Sequence, residues 1–232
     1  DLGLAHRKGG TVSAKAAGVW TLVWVCLSMG FAGFIGSQAG STRALEFITG
    51  YIVEYALSVD NLFVFLMVFG YFKVKPHLQH RLLYWGILGA LVMRAGLILL
   101  GVELVERFSW VLYIFGAFLV YSAIKLAVSK DEDNVDPEHS PVLRLARRFL
   151  PVAEGETGAS FFVRQAGKRK VTSLFLILLV VETTDLIFAL DSIPAVIGIT
   201  KDPFIVYSSN VCAILGLRSL FFVISGMMSV FR

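Results

Sequence analysis

Six long apolar runs constrain the fold of this chain more than any other feature of its sequence. They cover approximately residues 17–37, 45–72, 82–102, 108–128, 172–199 and 204–230. A helix needs about 20 apolar residues to cross the hydrocarbon core of a bilayer. A chain in lipid must also satisfy its backbone hydrogen bonds internally, which favours helices for runs of this length. The sequence therefore predicts an all-α, polytopic membrane protein with six spanning helices.

The composition supports a membrane protein and excludes several other classes. Apolar residues make up 56% of the 232 residues and charged residues only 16%, against roughly 45–50% and 25% in average soluble domains. The net charge of +4 could suggest nucleic-acid binding, but the basic residues lie in short loops between the apolar runs, so we expect no nucleic-acid partner. Two cysteines are too few for a disulfide framework, and the sequence has no CxxC zinc motif.

The distribution of lysine and arginine predicts the orientation of the chain in the membrane. Of the 21 basic residues, sixteen fall on one predicted side, three on the opposite side and two inside spans. Basic residues concentrate in cytoplasmic loops. Residue 1, the 73–81 loop and the 129–171 loop are therefore predicted to be cytoplasmic.

The 129–171 segment is the only long loop that the hydropathy pattern leaves between spans. Within it, VLRLARRFL at residues 142–150 places apolar and basic residues at helical spacing. This pattern predicts a solvated linker that contains a short amphipathic helix on the inner membrane surface. A regulatory or partner-binding role for the loop stays open as an alternative.

Seven ionisable residues lie well inside the predicted spans. They are Glu54, Asp60, Arg94, Glu182, Asp185, Asp191 and Arg218. A charge at the bilayer centre costs at least about 2.5–3.5 kcal/mol on insertion scales, so these side chains should face the bundle interior or a water-filled path. Two arginines cannot neutralise five carboxylates, and the surplus of three negative charges requires protons or a cation. A single Asp–Arg pair within the group could still be purely structural.

Several of these carboxylates share a helix face with other oxygen donors. Glu54, Ser58 and Asn61 recur at i, i+4 and i+7, and Glu182 and Asp185 recur at i and i+3, which places each set on one face. The four histidines all lie outside the spans. Oxygen-only ligands favour Mg²⁺, Ca²⁺ or Mn²⁺ over Zn²⁺ or Cu⁺.

Two of the acidic residues do not share these faces on regular helices. Asp60 and Asp191 would point elsewhere, but Pro194 predicts a local break in the fifth span that could bring Asp191 into the same site. Broken helices near the membrane midplane are typical of ion sites in transporters. Thr184 and Ser192 supply further hydroxyl oxygens beside the acids of this span.

An internal repeat relates the first and second acidic spans. SVDNLFVF (58–65) aligns with TTDLIFAL (183–190), which pairs Asp60 with Asp185, and GALVMRAGLILLG (89–101) aligns with AILGLRSLFFVISG (213–226), which pairs Arg94 with Arg218. A rival register pairs Glu54 and Asp60 with Asp185 and Asp191. The second copy begins three spans after the first, an odd number, so it should be inverted, as in many secondary transporters. We expect one transmembrane domain over 1–232, with repeat 1 at about 45–128 and a partial repeat 2 at about 172–232.

The acidic motifs resemble the signatures of a known family. EYALSVDN (54–61) and ETTDLIFALDSIPA (182–195), together with DPFIVYSSN (202–210) and ILGLRSLFF (214–222), are similar to the TerC family of integral membrane proteins. The family is named for tellurium resistance, and the resemblance implies an inner-membrane Mn²⁺ exporter related to the lysine-exporter superfamily. It also implies an additional span before residue 1 and about two after residue 232, so we expect the sequence to be part of a longer chain.

The resemblance also assigns roles to individual residues. Its implied metal ligands are Glu54, Asp60, Asn61, Glu182, Asp185 and Asp191. Independently of the resemblance, the sequence around the acids indicates supporting roles for Ser58, Thr184, Ser192, Arg94 and Arg218, with the two arginines paired to acids in the absence of metal.

The preferred hypothesis is export of a divalent cation, with Mn²⁺ as the expected cargo, across a bacterial inner membrane. No prosthetic group is expected, the expected partners are the lipid bilayer and the cation, and a homo-oligomer stays open. Proton coupling is compatible with the charge count, since buried carboxylates bind protons more readily. The alternative is a membrane scaffold or insertion factor in a tellurium-resistance-type complex. An intramembrane aspartyl protease is disfavoured because Asp60 and Asp185 lack flanking glycines, and we predict that the protein is not an enzyme.

Overall fold

The computed structural model describes residues 14–128, 141–153, 158–165 and 167–230. Seven helices and one two-stranded antiparallel hairpin occur in these ranges. They are α1 (Ala14–Ala39), α2 (Ser41–Tyr71), α3 (Pro76–Arg107), α4 (Val111–Val128), α5 (Pro141–Phe149), β1 (Phe162–Gln165), β2 (Lys168–Val171), α6 (Ser173–Ile197) and α7 (Pro203–Val230). The predicted helical membrane architecture is confirmed, with the small hairpin as an unpredicted addition.

Five of the six predicted spans correspond to helices that are long and apolar enough to cross a membrane, within the described part of the chain. These are α1, α2, α3, α6 and α7. The predicted span at 108–128 is shorter than expected, because its apolar helical portion covers only Val111–Lys125. The 18 residues of α4 extend for about 27 Å, slightly less than the roughly 30 Å hydrocarbon thickness of a typical bilayer.

Helix boundaries follow from local sequence signals. Pro76 occupies the first turn of α3, where a missing N–H has no cost. Thr172 caps α6 by accepting a hydrogen bond from the backbone N–H of Phe175, and Asp202 Oδ1 accepts one from the N–H of Phe204 at 2.9 Å at the start of α7. Such side-chain caps satisfy backbone donors that a helix start leaves unpaired.

Helix α2 lies at the centre of the bundle. It packs against α1, α6 and α7, while α3 packs against α6 and α7 and α4 packs against α6. Leu62 and Phe69 of α2 belong to one buried cluster with residues of α6 and α7. Phe47 and Tyr51 belong to another with residues of α1 and α7. The acidic segment of α2 is therefore surrounded by other helices.

Glycine contacts show that α3 and α6 run in the same direction. A Cβ added at Gly86 would lie 3.4 Å from Val181 Cγ1, and one at Gly101 would lie 2.9 Å from Ile197 Cδ1. Residue numbers therefore rise together along the two helices. These close approaches align the ionisable residues of α3 with those of α6.

A similar comparison shows that α2 runs antiparallel to α6 and parallel to α7. A Cβ added at Gly50 would lie 3.2 Å from Val196 Cγ1 and 2.9 Å from Ser209 Oγ. Further along α2, one cavity is lined by Leu62, Val181 and Leu217. The opposite directions of α2 and α6 agree with the predicted inverted repeat, which itself stays a prediction.

The described residues between α4 and α6, which are 141–153, 158–165 and 167–172, are more structured than the predicted solvated linker. The amphipathic helix expected at 142–150 is present as α5, but its Leu143 is buried in the main apolar cluster. The hairpin β1–β2 follows, and Thr172 Oγ1 donates to the carbonyl oxygen of Ser160 at 2.8 Å where the hairpin meets α6. The prediction of a solvated linker is therefore wrong for the described residues, because apolar side chains such as Leu143 tie them to the start of α6.

Candidate cation-binding site

A buried arginine joins two carboxylates from different helices in the bundle interior. Arg94 of α3 is 1% exposed. Its Nε donates to Asp185 Oδ2 at 3.1 Å and its Nη2 donates to Asp185 Oδ1 at 2.9 Å. Its Nη1 donates to Glu54 Oε1. The parallel pair of bonds to Asp185 is the fork geometry in which guanidinium and carboxylate interact most strongly.

The predicted face of α2 is present and buried. Glu54, Ser58 and Asn61 are 0%, 0% and 4% exposed, which confirms that the i, i+4, i+7 pattern faces the interior. Ser58 Oγ donates to Glu54 Oε1 at 3.1 Å. Glu54 Oε2 is buried and has no hydrogen-bond partner among the described residues. One oxygen of this carboxylate is thus held by two donors, and the other has no protein donor in the described part of the chain.

The predicted pair on α6 faces α3. Glu182 lies one turn before Asp185 and is half-buried, and a Cβ added at Gly89 would overlap its carboxylate. Glu182 Oε2 is buried without a hydrogen-bond partner in the described ranges. When ionised, the three carboxylates of Glu54, Glu182 and Asp185 exceed the single charge of Arg94 by two. This local charge equals that of one divalent cation with the sign reversed.

A small cavity lies on one side of the Arg94–Asp185 pair. It measures about 30 Å³ and has Asp185 as the charged residue in an otherwise apolar wall. Val181 and Gly86, which lie toward the N-terminal ends of α6 and α3, contribute to this wall. The volume is sufficient for a water molecule. The cavity therefore lies on the side of Asp185 that is nearer to the end of the bundle where α3 and α6 begin.

Asp191 lies apart from this group. Its Oδ1 accepts a hydrogen bond from Ser122 Oγ of α4 at 3.2 Å. The predicted helix break is wrong, because α6 is continuous through Pro194 to Ile197. Pro194 stands in the last turn, where the missing N–H removes only one helical hydrogen bond. Without a break, the six-residue separation from Asp185 turns Asp191 toward a different helix.

The other predicted site residues have varied positions. Thr184 Oγ1 donates to the carbonyl of Val180 in its own helix at 2.8 Å. Ser192 is 2% exposed, and its hydroxyl has no partner among the described residues. The side chains of Asp60 and Arg218 lie outside the described part of the structure.

The described residues contain no group of three or more histidine, cysteine, aspartate or glutamate side chains arranged to hold a metal ion. The sequence analysis expected such a group, and the geometry gives a physical reason for the difference. The guanidinium of Arg94 lies between Glu54 and Asp185 and binds both. It therefore takes the position at which a cation could bridge these two carboxylates.

Comparisons with known proteins identify the family of this chain. Residues 39–232 match the model of the "Integral membrane protein TerC family". The chain belongs to the TerC family. No solved protein structure matches it significantly.

Relatives of this TerC protein come from bacteria and from a plant. A Myxococcus xanthus protein, "Uncharacterized membrane protein STKORF319", is 44% identical over all of this chain and 72% of its own length. The Salmonella typhi "Putative membrane-bound redox modulator Alx" is 44% identical over 97% of the chain and 73% of its own length. The Arabidopsis thaliana "Thylakoid membrane protein TERC, chloroplastic" is 48% identical over 82% of the chain and 50% of its own length.

Two residues of this TerC chain near the acidic helices were not identified from the sequence. Gly89 makes room for the Glu182 carboxylate, and Asn210 of α7 is buried with an unpaired amide oxygen in the described part of the chain. An asparagine inside an apolar span is a usable signal, since polar groups within membranes tend to be functional. The role of Gly89 depends on the approach of α6, which the sequence pattern does not reveal.

Proposed function

We propose that this TerC protein exports a divalent metal cation, with Mn²⁺ as the favoured cargo, through the carboxylates of α2 and α6. The observation that carries the proposal is the buried Arg94, which neutralises only part of the charge of the carboxylates around it. Buried ionisable groups in a membrane are costly and typically mark ion pathways. Carboxylate oxygens are the ligands that Mg²⁺, Ca²⁺ and Mn²⁺ prefer.

In this proposal Arg94 acts as a resident counter-ion that the cargo displaces. A cation reaching Asp185 and Glu182, here called the inner site, competes with the guanidinium for the carboxylate of Asp185. With Glu54 included, the carboxylates exceed the charge of Arg94 by two, so the first divalent ion to bind balances the group. A proton on one carboxylate would weaken the inner site, which gives a physical route to proton-coupled antiport. Rocking of the two predicted repeats against each other would then switch access to the inner site from one side of the membrane to the other.

Access to the inner site is proposed from the cytoplasm. The cavity lies on the side of Asp185 nearer to the beginnings of α3 and α6, which the distribution of basic residues assigns to the cytoplasm. At the opposite end, Arg43 of α2 forms an ion pair with Asp202, and Thr200 Oγ1 donates to Glu46 Oε2 at 2.8 Å. These contacts join α2 to the α6–α7 connection on the outer side. The arrangement suits a state that accepts cargo from inside the cell.

The export proposal is tested by transport in proteoliposomes that contain the purified protein. Asp185→Asn should reduce Mn²⁺ transport at least tenfold. Loss of a group that only supports a metal ligand costs about 10–100-fold in affinity. Loss of a direct carboxylate ligand should cost at least as much. Glu103→Gln is the matched control, since Glu103 pairs with Arg107 on the exposed surface of α3. Unchanged transport by Asp185→Asn would contradict the proposal. Asp60→Asn is the corresponding change in α2.

A second candidate function is that of a membrane scaffold or biogenesis factor. It is favoured by the exposed apolar side chains of Leu145 and Phe149 on α5 and Phe162 on β1, which are 59%, 71% and 59% exposed. The names of the relatives specify no cargo. Leu145→Glu with Phe149→Glu should abolish a scaffold function in cells and leave Mn²⁺ transport in proteoliposomes intact. Loss of the cellular function in Asp185→Asn alone would favour transport instead.

A further inference from the structure

We propose a second cation position, the outer site, formed by the carboxylate of Glu54, the hydroxyl of Ser192 and the amide oxygen of Asn210. This proposal rests on the export function proposed above, and the outer site would receive the ion after the inner site. The outer site uses one residue from each of α2, α6 and α7. Only one of the three is acidic, so the outer site differs from a cluster of carboxylates.

The three side chains are all buried, and each has an oxygen atom without a hydrogen-bond partner in the described part of the chain. Glu54, Ser192 and Asn210 are 0%, 2% and 1% exposed. Glu54 Oε2, Ser192 Oγ and Asn210 Oδ1 each lack a hydrogen-bond partner among the described residues. Buried polar atoms are nearly always paired in proteins, so an unpaired one requires an explanation. Three such atoms on neighbouring helices have a common explanation if they bind the same ligand.

The helix register places the three residues at similar depth in the bundle. The backbone of Gly50 approaches both Val196 and Ser209, which sets these three positions level with one another. Glu54 and Ser192 each lie four residues, or about 6 Å, toward the inner end. Asn210 lies one residue beyond Ser209, or about 1.5 Å in the same direction. All three are therefore within one helical turn in depth.

The register also places Ser192 and Glu54 on facing sides of α6 and α2. Ser192 lies one turn from Val196, which faces Gly50, and two turns from Asp185, which binds Arg94. Glu54 lies one turn from Gly50 and itself binds Arg94. Residues separated by one or two turns share a helix face. Both side chains are thus directed at the space between the two helices.

Asn210 is on the face of α7 that is turned toward the same space. Val206, one turn before it, packs with residues of α6. Ile214 and Leu217, one and two turns after it, line the cavity with Asp185. A residue between these positions at helical spacing has the same orientation. The three helices therefore direct their unpaired oxygens inward at one level.

The chemistry of this oxygen set fits a hard cation. Glu54 supplies the negative charge, and its other oxygen is fixed by Arg94 and Ser58. Hydroxyl and amide oxygens are suitable neutral ligands for such ions, and water can complete the coordination. The outer site carries less negative charge than the inner site because Glu54 is its only carboxylate. Seven residues separate Ser192 from Asp185, or about 10 Å along α6, and multiple weak sites favour ion release.

The test is the number of Mn²⁺ ions bound by the purified protein, measured by equilibrium dialysis with radioactive Mn²⁺. We expect two ions for the wild type and one for Asn210→Leu, which removes the amide at similar size. Asn210→Asp, which preserves the shape and adds a charge, should retain two ions and bind the second at least about tenfold more tightly. Ser209→Ala is the matched control, because the Ser209 hydroxyl already donates to the Val206 carbonyl at 3.0 Å; it should bind two ions.

The outcomes separate the outer site from the export function itself. One ion in both the wild type and Asn210→Leu, or unchanged affinity in Asn210→Asp, would overturn the outer site and leave export intact. No bound Mn²⁺ in the wild type would contradict the export proposal. Loss of one ion in Asn210→Leu, retained by Ser209→Ala, supports the outer site. In Asp185→Asn the ion at the outer site should remain.

Discussion

Replacement of Arg94 by methionine should destabilise the protein and increase its dependence on Mn²⁺. Methionine preserves most of the aliphatic length but leaves Glu54 and Asp185 buried without their guanidinium partner. Removal of one partner from a buried ion pair costs about 3–5 kcal/mol, because the other charge is left uncompensated. Two carboxylates lose their partner here, so the free energy of unfolding should fall by about 5 kcal/mol in the absence of metal.

Added Mn²⁺ should recover more stability in Arg94→Met than in the wild type. A ligand at 100 times its dissociation constant stabilises the folded state by about 2.7 kcal/mol. In the wild type, the cation must compete with the guanidinium for Asp185, whereas in the variant it has no competitor. At one Mn²⁺ concentration, the metal-induced rise in the melting temperature should therefore be larger for Arg94→Met.

Thermal unfolding in detergent, followed by circular dichroism with and without Mn²⁺, measures both effects. Arg107→Met is a matched control on the same helix, because Arg107 pairs with Glu103 on the surface with its side chain 72% exposed. Exposed pairs contribute about 0–1 kcal/mol, so this variant should behave like the wild type. Equal stability of Arg94→Met and the wild type, or an equal response to Mn²⁺, would refute the role of Arg94 as a displaceable counter-ion.

Two further predictions concern the packing of Gly89 beside the inner site and the packing of α5. Gly89→Ala should move the Glu182 carboxylate and weaken Mn²⁺ binding in dialysis. Gly96→Ala is the control on the same helix, because a Cβ there meets nothing within 4 Å, and it should bind Mn²⁺ normally. Equal affinities of the two variants would contradict the role of Gly89. Leu143→Ala should lower the free energy of unfolding, measured by urea titration, by about 2–5 kcal/mol, as expected for a buried leucine. Leu143 is 1% exposed and belongs to the main apolar cluster. A loss below about 1 kcal/mol would show that α5 is only loosely attached.

Helical periodicity explains which parts of the site could be predicted from the sequence. The spacing of Glu54, Ser58 and Asn61 specifies a common face of a helix, and apolar length specifies the helix itself, so their joint burial follows from local information. The pairing of Arg94 with Asp185 joins residues far apart in the chain. Charge counting indicated that arginine and carboxylate should meet, but the choice of partners depends on which helices are neighbours.

Errors arose where local rules have exceptions that depend on position or packing. Pro194 does not break α6 because it lies near the end of the helix. The hairpin β1–β2 was missed because KRKV in β2 lacks apolar–polar alternation, and its turn relies on Gly167 with φ of +74°. Leu143 was expected on the membrane surface, yet it is buried against α6. Amphipathicity indicates that a helix has an apolar face but does not identify what covers it.

The ion pairs of Arg94 are poorly explained as devices for stability alone. Replacing a complete buried ion cluster by uncharged residues of similar size is often neutral or stabilising by about 1–4 kcal/mol. The combined variant Arg94→Met, Glu54→Gln and Asp185→Asn should therefore recover most of the stability that Arg94→Met loses. It should nevertheless fail to transport Mn²⁺, because the carboxylates of Glu54 and Asp185 are absent and Glu182 alone remains at the inner site. A stable combined variant that still transports would mean that the charges of Arg94, Glu54 and Asp185 are required neither for folding nor for transport. A stable and inactive variant would show that they are required for transport and not for folding.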